Sequence, residues 1–169
     1  MKKVLIIDFE LTCSEDDSIT KENAEIIQIG LVEVMISDMS IRRTFMKYVK
    51  PENTDITEFC TNLTGITKKQ VENQGLPLEH LINILNNKYG MKNTLVIGWG
   101  RDDLFMNFDQ YLNLSLLYSI QNGVSDKVPL KKALEREGIQ FEGSQHDALV
   151  DAIATAKLYI KMIKGEFNE

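Results

Sequence analysis

Asp8 and Glu10 close an apolar run, Val4-Leu5-Ile6-Ile7-Asp8-Phe9-Glu10. Asp103 follows a second apolar run, Leu95-Val96-Ile97-Gly98-Trp99-Gly100. His146 and Asp151 open the last periodic segment, in His146-Asp147-Ala148-Leu149-Val150-Asp151. Carboxylates gathered from distant segments repel one another unless a cation lies between them. Hard oxygen donors of this kind suit Mg²⁺ or Mn²⁺. An imidazole beside them can take a proton from water, because imidazoles change charge near neutral pH. These residue types point to hydrolysis of a phosphodiester in nucleic acid by two divalent cations, which clamp the attacking and leaving oxygens.

Spacing sharpens that expectation. Residues two apart on a strand share a face, so Asp8 and Glu10 emerge together while Phe9 points into the opposite layer. An Asp-x-Glu pair is common on exposed strands, but this one ends a wholly apolar run. Asp103 falls at a strand-to-helix junction, at the carboxyl end of a strand, where ligand sites of open α/β sheets cluster. Asp102 competes for the same role, and either aspartate could simply be an acid at a helix N-terminus. Asp151 lies beside the apolar stripe of the final helix, so it faces a neighbouring element. His146 has acidic motifs for company; His80 has none. In this scheme Asp8 bridges two metals, and Glu10 and Asp151 hold the one nearest the attacking water. Asp103 acts mainly through water, and His146 accepts the proton.

The elements that must position these groups read as an α/β domain with a mixed sheet covered on both sides. Residues 3–9 lack alternation, as expected of a strand buried on both faces. Residues 11–23 are a polar loop. Strands follow at 25–36 and 41–50, joined by a hairpin-sized turn at 37–40. Residues 51–92 are helical in pieces, with Thr54 and Thr67 as N-caps and Gly65 and Gly75 as breaks. The clearest piece is Leu78 to Tyr89. A short strand at 94–98 leads to a helix over 101–112, carrying Leu104, Phe105 and Phe108 on one face. Residues 114–120 suit a strand running into a helix. Pro129 starts a helix that Gly138 ends. The final helix carries a core stripe of Leu149, Ala152, Ile153, Ala156, Ile160 and Ile163.

With 169 residues the chain is expected to form one domain, 1–169. Its 43% apolar content is that of an ordinary globular protein. No apolar run approaches the ~20 residues that cross a bilayer, so no membrane partner is expected. The run after Lys2-Lys3 stops at Asp8, too early for a secretory core, which suggests a cytoplasmic protein. Cys13 and Cys60 form no metal-ligand spacing and suit reduced thiols. A net charge of −6 argues against wide duplex binding but not against holding a strand end. Basic groups are local: Arg42, Arg43, Lys47 and Lys50; Lys68 and Lys69; Lys127, Lys131, Lys132 and Arg136.

Together, Asp8-Phe9-Glu10, Asp103 and His146-x-x-x-x-Asp151 resemble the three motifs of the DEDDh 3′–5′ exonucleases, the superfamily of RNase T and the proofreading subunit of DNA polymerase III. Four further segments are similar to one branch: Asp8 to Cys13, Glu25 to Gly30, Phe59 to Thr67, and Leu130 to Leu134. That branch holds the enhanced-RNAi and histone-mRNA 3′ exonucleases and the bacterial KapD-like proteins. The resemblance implies an RNase H-like fold, a central mixed five-stranded sheet flanked by helices. It implies two divalent cations, Mg²⁺ or Mn²⁺, held by Asp8, Glu10, Asp103 and Asp151, with His146 as general base. The implied substrates are single-stranded RNA or DNA 3′ ends, and the product is a nucleoside 5′-monophosphate. Implied substrate contacts are Phe9, Leu11, Thr12, Phe59 and Trp99. Phe59 would stack on the terminal base, a contact of ~1–3 kcal/mol. One departure stands out: eukaryotic members carry a tryptophan directly before the second-motif aspartate, whereas that place is Asp102 here and the tryptophan is Trp99. The alternatives are a regulatory module that binds nucleic acid with little turnover, and a phosphodiesterase of small molecules.

Overall fold

Valine, leucine and isoleucine dominate the first strand, β1 (Lys3–Leu11), and its Val4 to Ile7 segment is fully buried. The structure is a computed structural model describing residues 2–124, 127–143 and 146–166, so both ends of the expected domain lie outside the described residues. β1 pairs antiparallel with β2 (Ile26–Met35), which pairs antiparallel with β3 (Ser40–Tyr48). On its other side β1 runs parallel to β4 (Val96–Gly98), and β4 runs parallel to β5 (Tyr111–Asn113). The result is a mixed five-stranded sheet of order β3-β2-β1-β4-β5.

Strand alternation divides the core into two layers. Val4, Ile6, Val32, Val34 and Ile97 face α4 (Leu114–Gln121), α5 (Leu130–Arg136) and α6 (Ala148–Lys164). Leu5, Ile7, Phe9, Ile29 and Leu31 face α3 (Leu78–Tyr89), through Leu81, Leu85 and Tyr89. A third, smaller cluster joins Ile27 to Cys60 on α1 (Glu58–Thr64) and Val71 on α2 (Lys68–Gln74). No helix among the described residues is long and apolar enough to cross a membrane.

α6 lies against β2 because Gly30 has no side chain. A Cβ there would overlap the Ala148 carbonyl group. Gln28, two residues earlier, accepts the Ala148 backbone N–H on Oε1 at 2.8 Å. Asp147 caps the helix, accepting from Leu149 at 3.0 Å and Val150 at 3.1 Å. α1 is held differently. Thr57, its N-cap, donates to the Cys13 carbonyl at 2.7 Å and accepts from the Cys60 N–H at 3.0 Å. The turn before it is gripped by Glu25, whose carboxylate accepts backbone N–H groups of Glu52, Asn53 and Thr54 at 2.6–2.9 Å.

Several expectations need correction. Thr57, not Thr54, caps α1; the Thr54 hydroxyl is spent on Glu25. Thr67 does cap α2, with a full capping box. The helix expected over 101–112 is a 3₁₀ turn, Asp102–Leu104, followed by irregular chain and then β5. Its apolar spacing reflects packing of Phe105 and Phe108 on the α3 layer, while Leu104 is 61% exposed. Residues 114–120 are helical throughout, within α4; the strand expected to open that stretch lies just before it, as β5. On α6 the buried face runs through Ala148, Ala152, Thr155, Ala156, Tyr159 and Met162, and Ile163 is exposed. Small side chains let the helix sit close to the sheet, so alanines take the centre and the isoleucines shift to its flanks.

One ion group around the buried Glu33 ties the sheet together. Glu33 on β2 accepts from Lys3 at 2.6 Å and from Arg43 Nε and Nη2 at 2.9 and 2.7 Å. Arg43 also lies over the Tyr89 ring, 4.6 Å from its centroid. The two cations hold the Glu33 carboxyl at about 2, below its ordinary 4.5. A lowered folded-state pKa stabilises above the unfolded value and loses its effect as pH falls through the folded one. Glu33→Gln is therefore expected to lower the unfolding free energy by roughly 2–3 kcal/mol near neutral pH. In denaturant titrations across pH, the gap from the native sequence should close between 4.5 and about 2.

Candidate active site

Four acidic side chains converge at the carboxyl ends of β1 and β4, under the N-terminus of α6. Asp8 and Glu10 come from β1 and face α6. Asp8 pairs with Gly30 across the ladder and Glu10 with Gln28, so the residues that seat α6 lie directly beside the two carboxylates. Asp151, in the first turn of α6, is brought down onto them. Glu10, Asp151 and His146 each offer a ligand atom within 4.8 Å of the others'. His146 lies beside the Asp151 carboxylate, and the His146 backbone is left-handed, φ +63°. That conformation is unfavourable for histidine and is held by the turn into α6.

The fourth member is not the expected one. Asp102, not Asp103, acts on Asp8. Successive side chains on a 3₁₀ turn point about 120° apart, so two neighbouring aspartates cannot face the same place. Tyr111 on β5 decides which one turns inward. Its hydroxyl donates to Asp102 Oδ2 at 2.7 Å and accepts the Asp102 N–H at 3.3 Å. Gly98 provides the room, since a Cβ there would overlap both Asp102 Oδ2 and the Tyr111 hydroxyl. Phe108 stacks on the Tyr111 ring, centroids 5.4 Å apart. Asp103 turns outward and takes Arg101, Nε to Oδ1 at 2.8 Å and Nη2 to Oδ2 at 3.0 Å.

Electrostatics follow from this arrangement. Burial, then Asp102, Asp151 and Glu10, push the Asp8 carboxyl well above the usual carboxylate range. Glu10, 7% exposed, is pushed up to about 8 by burial and by Asp151 and Asp147. Burial raises Asp102 and Asp151 as well, the latter against the opposing influence of His146. Asp103 moves the other way, held down by the Arg101 guanidinium. A set of buried oxygen donors that repel one another fits one or more hard divalent cations, which would reverse that repulsion.

The expected substrate contacts divide. Phe59 on α1 is 40% exposed and free to meet a ligand. Leu11 ends β1, and its carbonyl accepts the Cys60 thiol at 3.5 Å. Phe9 is instead a core residue of the α3 layer. Thr12 is buried, its hydroxyl shared between Thr54 Oγ1 and the Glu25 N–H, both at 2.9 Å. Trp99 donates Nε1–H to the Val128 carbonyl at 3.1 Å and packs against Tyr118. Strand alternation signals the inward placement of Phe9. Nothing local marks Gln28, Gly30, Gly98 or Tyr111 as supports of the site.

The exonuclease family designated RNase T matches residues 5–159. The probable 3′–5′ exonuclease KapD of Bacillus subtilis is 33% identical over 172 residues, covering 92% of this chain and 82% of that protein. Human 3′–5′ exoribonuclease 1 is 28% identical, covering 95% of this chain and 52% of that protein; the chain thus spans about half of that relative. Among solved structures, the nuclease domain of 3′hExo, a DEDDh family member bound to rAMP, gives a TM-score of 0.84 at 26% identity, covering 99% of this chain and 96% of that one. The fold is thus RNase H-like.

Gly98→Ala should displace Asp102 while leaving the rest of the carboxylate group in place. Manganese titration by calorimetry is expected to give roughly 10–100-fold weaker binding. An unchanged isotherm would mean that Asp102 takes no part in holding the ion.

Proposed function

The chain belongs to the RNase T family of exonucleases, and on that footing we propose that it releases nucleoside 5′-monophosphates from 3′ ends of single-stranded RNA or DNA, by a two-metal-ion mechanism with His146 as general base. One observation carries this reading: Glu10, Asp151 and His146 offer donor atoms within 4.8 Å of one another, beside Asp8 and Asp102. The rAMP held by the similar nuclease domain supports a mononucleotide product.

Asp8, Glu10, Asp102 and Asp151 would hold the cations, Mg²⁺ or Mn²⁺. Bound there, such ions neutralise charge on the phosphate and make water a better nucleophile. The protein's own groups do the rest. An imidazole nitrogen of His146 accepts the proton of the attacking water, and its exposed position lets that proton pass on to solvent. Tyr111 keeps Asp102 in one orientation. Gln28 and Gly30 keep α6, and with it Asp151 and His146, against β1. Phe59 offers an aromatic face to the terminal base, and the Leu11 backbone borders the same end of β1. Asp103 is replaced by Asp102 in the metal-holding role, supported by its pairing with Arg101.

Oligonucleotides labelled at either end, as RNA and as DNA, test polarity, sugar preference and product size together. Mononucleotides should leave from the 3′ end, and EDTA should stop the reaction; internal cuts would overturn the reading. Asp8→Ala and Asp151→Ala should abolish turnover. Asp102→Ala should do so as well, with Asp103→Ala keeping kcat, and the reverse result would restore Asp103 to the metal site. His146→Ala should bind manganese normally yet slow single-turnover cleavage by roughly 10²–10⁴-fold. Equal rates for the two proteins from pH 6 to 8 would exclude His146 as the base.

A further inference from the structure

Cys13 and Cys60 are the chain's two cysteines, both free thiols, and the fold brings them to one joint. Cys13 follows the end of β1, and Cys60 lies on α1 next to Phe59. The Thr57 hydroxyl touches both residues, donating to the Cys13 carbonyl at 2.7 Å and accepting the Cys60 N–H at 3.0 Å. The Cys60 thiol donates to the Leu11 carbonyl at 3.5 Å, so its sulfur lies against the backbone that leads into Cys13. The Cys13 side chain packs into the small cluster that holds Cys60, Ile27, Ile66 and Val71. The two thiols thus share one apolar cluster between the strand that carries the carboxylates and the helix that carries Phe59.

Their exposure differs. Cys60 is fully buried, whereas Cys13 is partly exposed and open to a small reagent. In such a pair the accessible thiol meets the oxidant and the buried one resolves the product. Burial, then the Cys60 thiol, push the Cys13 thiol up to about 12. Little of it is ionised at neutral pH, so its attack is slow. A pair that is not stabilised as thiolate also has no added preference for the reduced state, so the bond resists reduction once closed. These properties describe a latch set by sustained exposure, not a fast sensor.

We propose that Cys13 and Cys60 form a dithiol–disulfide site whose closure weakens the hold on a 3′ end. The chemistry is exchange with a low-molecular-weight disulfide. The Cys13 thiolate attacks one sulfur of that disulfide and expels the other as a thiolate. The Cys60 thiolate then attacks the Cys13 sulfur and expels the second half. The protein thiols give up two electrons and two protons, which the small disulfide takes up as it becomes two thiols. Closure removes the hydrogen that Cys60 gives to Leu11 and draws α1 against the end of β1. Phe59, next to Cys60, moves with it, while Asp8 and Glu10 stay rooted in the sheet. The effect on a 3′ end rests on reading the site as an exonuclease centre; the bond itself does not.

The test exposes the reduced protein to excess oxidised glutathione and then alkylates the remaining thiols. Mass spectrometry should show the loss of two hydrogens, no alkylated cysteine and a peptide joining Cys13 to Cys60. The melting temperature should rise, because the bond closes a long loop of the unfolded chain. KM for single-stranded RNA and DNA should rise by about tenfold, the scale of one stacked base. The kcat and the manganese isotherm should change little, and dithiothreitol should restore the original KM. Cys13→Ser and Cys60→Ala should keep the KM of the reduced protein with or without oxidised glutathione. Cys13→Ser, at the accessible position, serves alone if Cys60→Ala does not fold. Two alkylated thiols after prolonged exposure, glutathione retained on Cys13, or chains linked in pairs would each refute the site. A joined peptide with unchanged KM, or a KM that rises equally in Cys13→Ser, would refute its action on the 3′ end. Closure of the bond in a protein that releases no nucleotide would sink the nuclease reading and leave the site standing. Normal turnover in a protein that never closes the bond would do the reverse.

Discussion

Acidic side chains that repel one another are held together at the edge of a hydrophobic sheet, and much of the surrounding structure serves to keep them there. Asp8 and Glu10 are rooted in a strand whose neighbouring residues are fully buried, so neither can retreat into water. Asp102 and Asp151 are brought against them from separate parts of the chain. Without cations the cheapest response is protonation, which is why burial and mutual repulsion drive these carboxyls upward. With cations the same crowding becomes a binding site, because close oxygen donors that cannot move apart coordinate without further reorganisation.

Close approach is achieved by leaving side chains out. Gly30 lets the start of α6 touch β2 opposite Asp8, and Gly98 lets Asp102 and Tyr111 share one space. Gln28 then ties the α6 backbone to the sheet from a buried position, where its amide has few other partners. The left-handed backbone of His146 belongs to the same economy. The chain turns into α6 there, and the imidazole, though exposed, ends up beside Glu10 and Asp151.

On the far side of β1 a second device orders the wall that carries Phe59. Glu25 gathers consecutive backbone N–H groups of the turn at 52–54, and Thr57 links the end of β1 to the start of α1. Phe59 is thereby presented from a helix fixed to the strand that supplies the carboxylates. Arg101 is fixed from the other direction, by its neighbour but one. Positioning of Phe59 thus rests on polar contacts between distant segments, that of Arg101 on a residue two places away, and that of the carboxylates on packing across the sheet.

That difference explains what could be read from residues alone. Period-two alternation put Asp8 and Glu10 on one face and Phe9 on the other, and the apolar runs marked β1, β2 and β4. Those are properties of a short stretch of backbone, and a short stretch of sequence carries them. The motif spacing also sufficed to recognise the exonuclease family. The choice between Asp102 and Asp103 was not available in that way. It turns on whether residues 101–112 wind as a helix or break into a 3₁₀ turn and an edge strand, which depends on β4 accepting β5 and on Tyr111 meeting Asp102. The inward turn of Trp99 and Thr12, and the rotation of α6 that buries its alanines and exposes Ile163, likewise depend on partners far along the chain. Sequence by itself determined which residue types lie at the ends of which strands, because local backbone geometry dictates side-chain direction there. Tertiary structure alone decided which of two neighbouring carboxylates faces the site, because that direction is set by contacts between segments that do not adjoin in the chain.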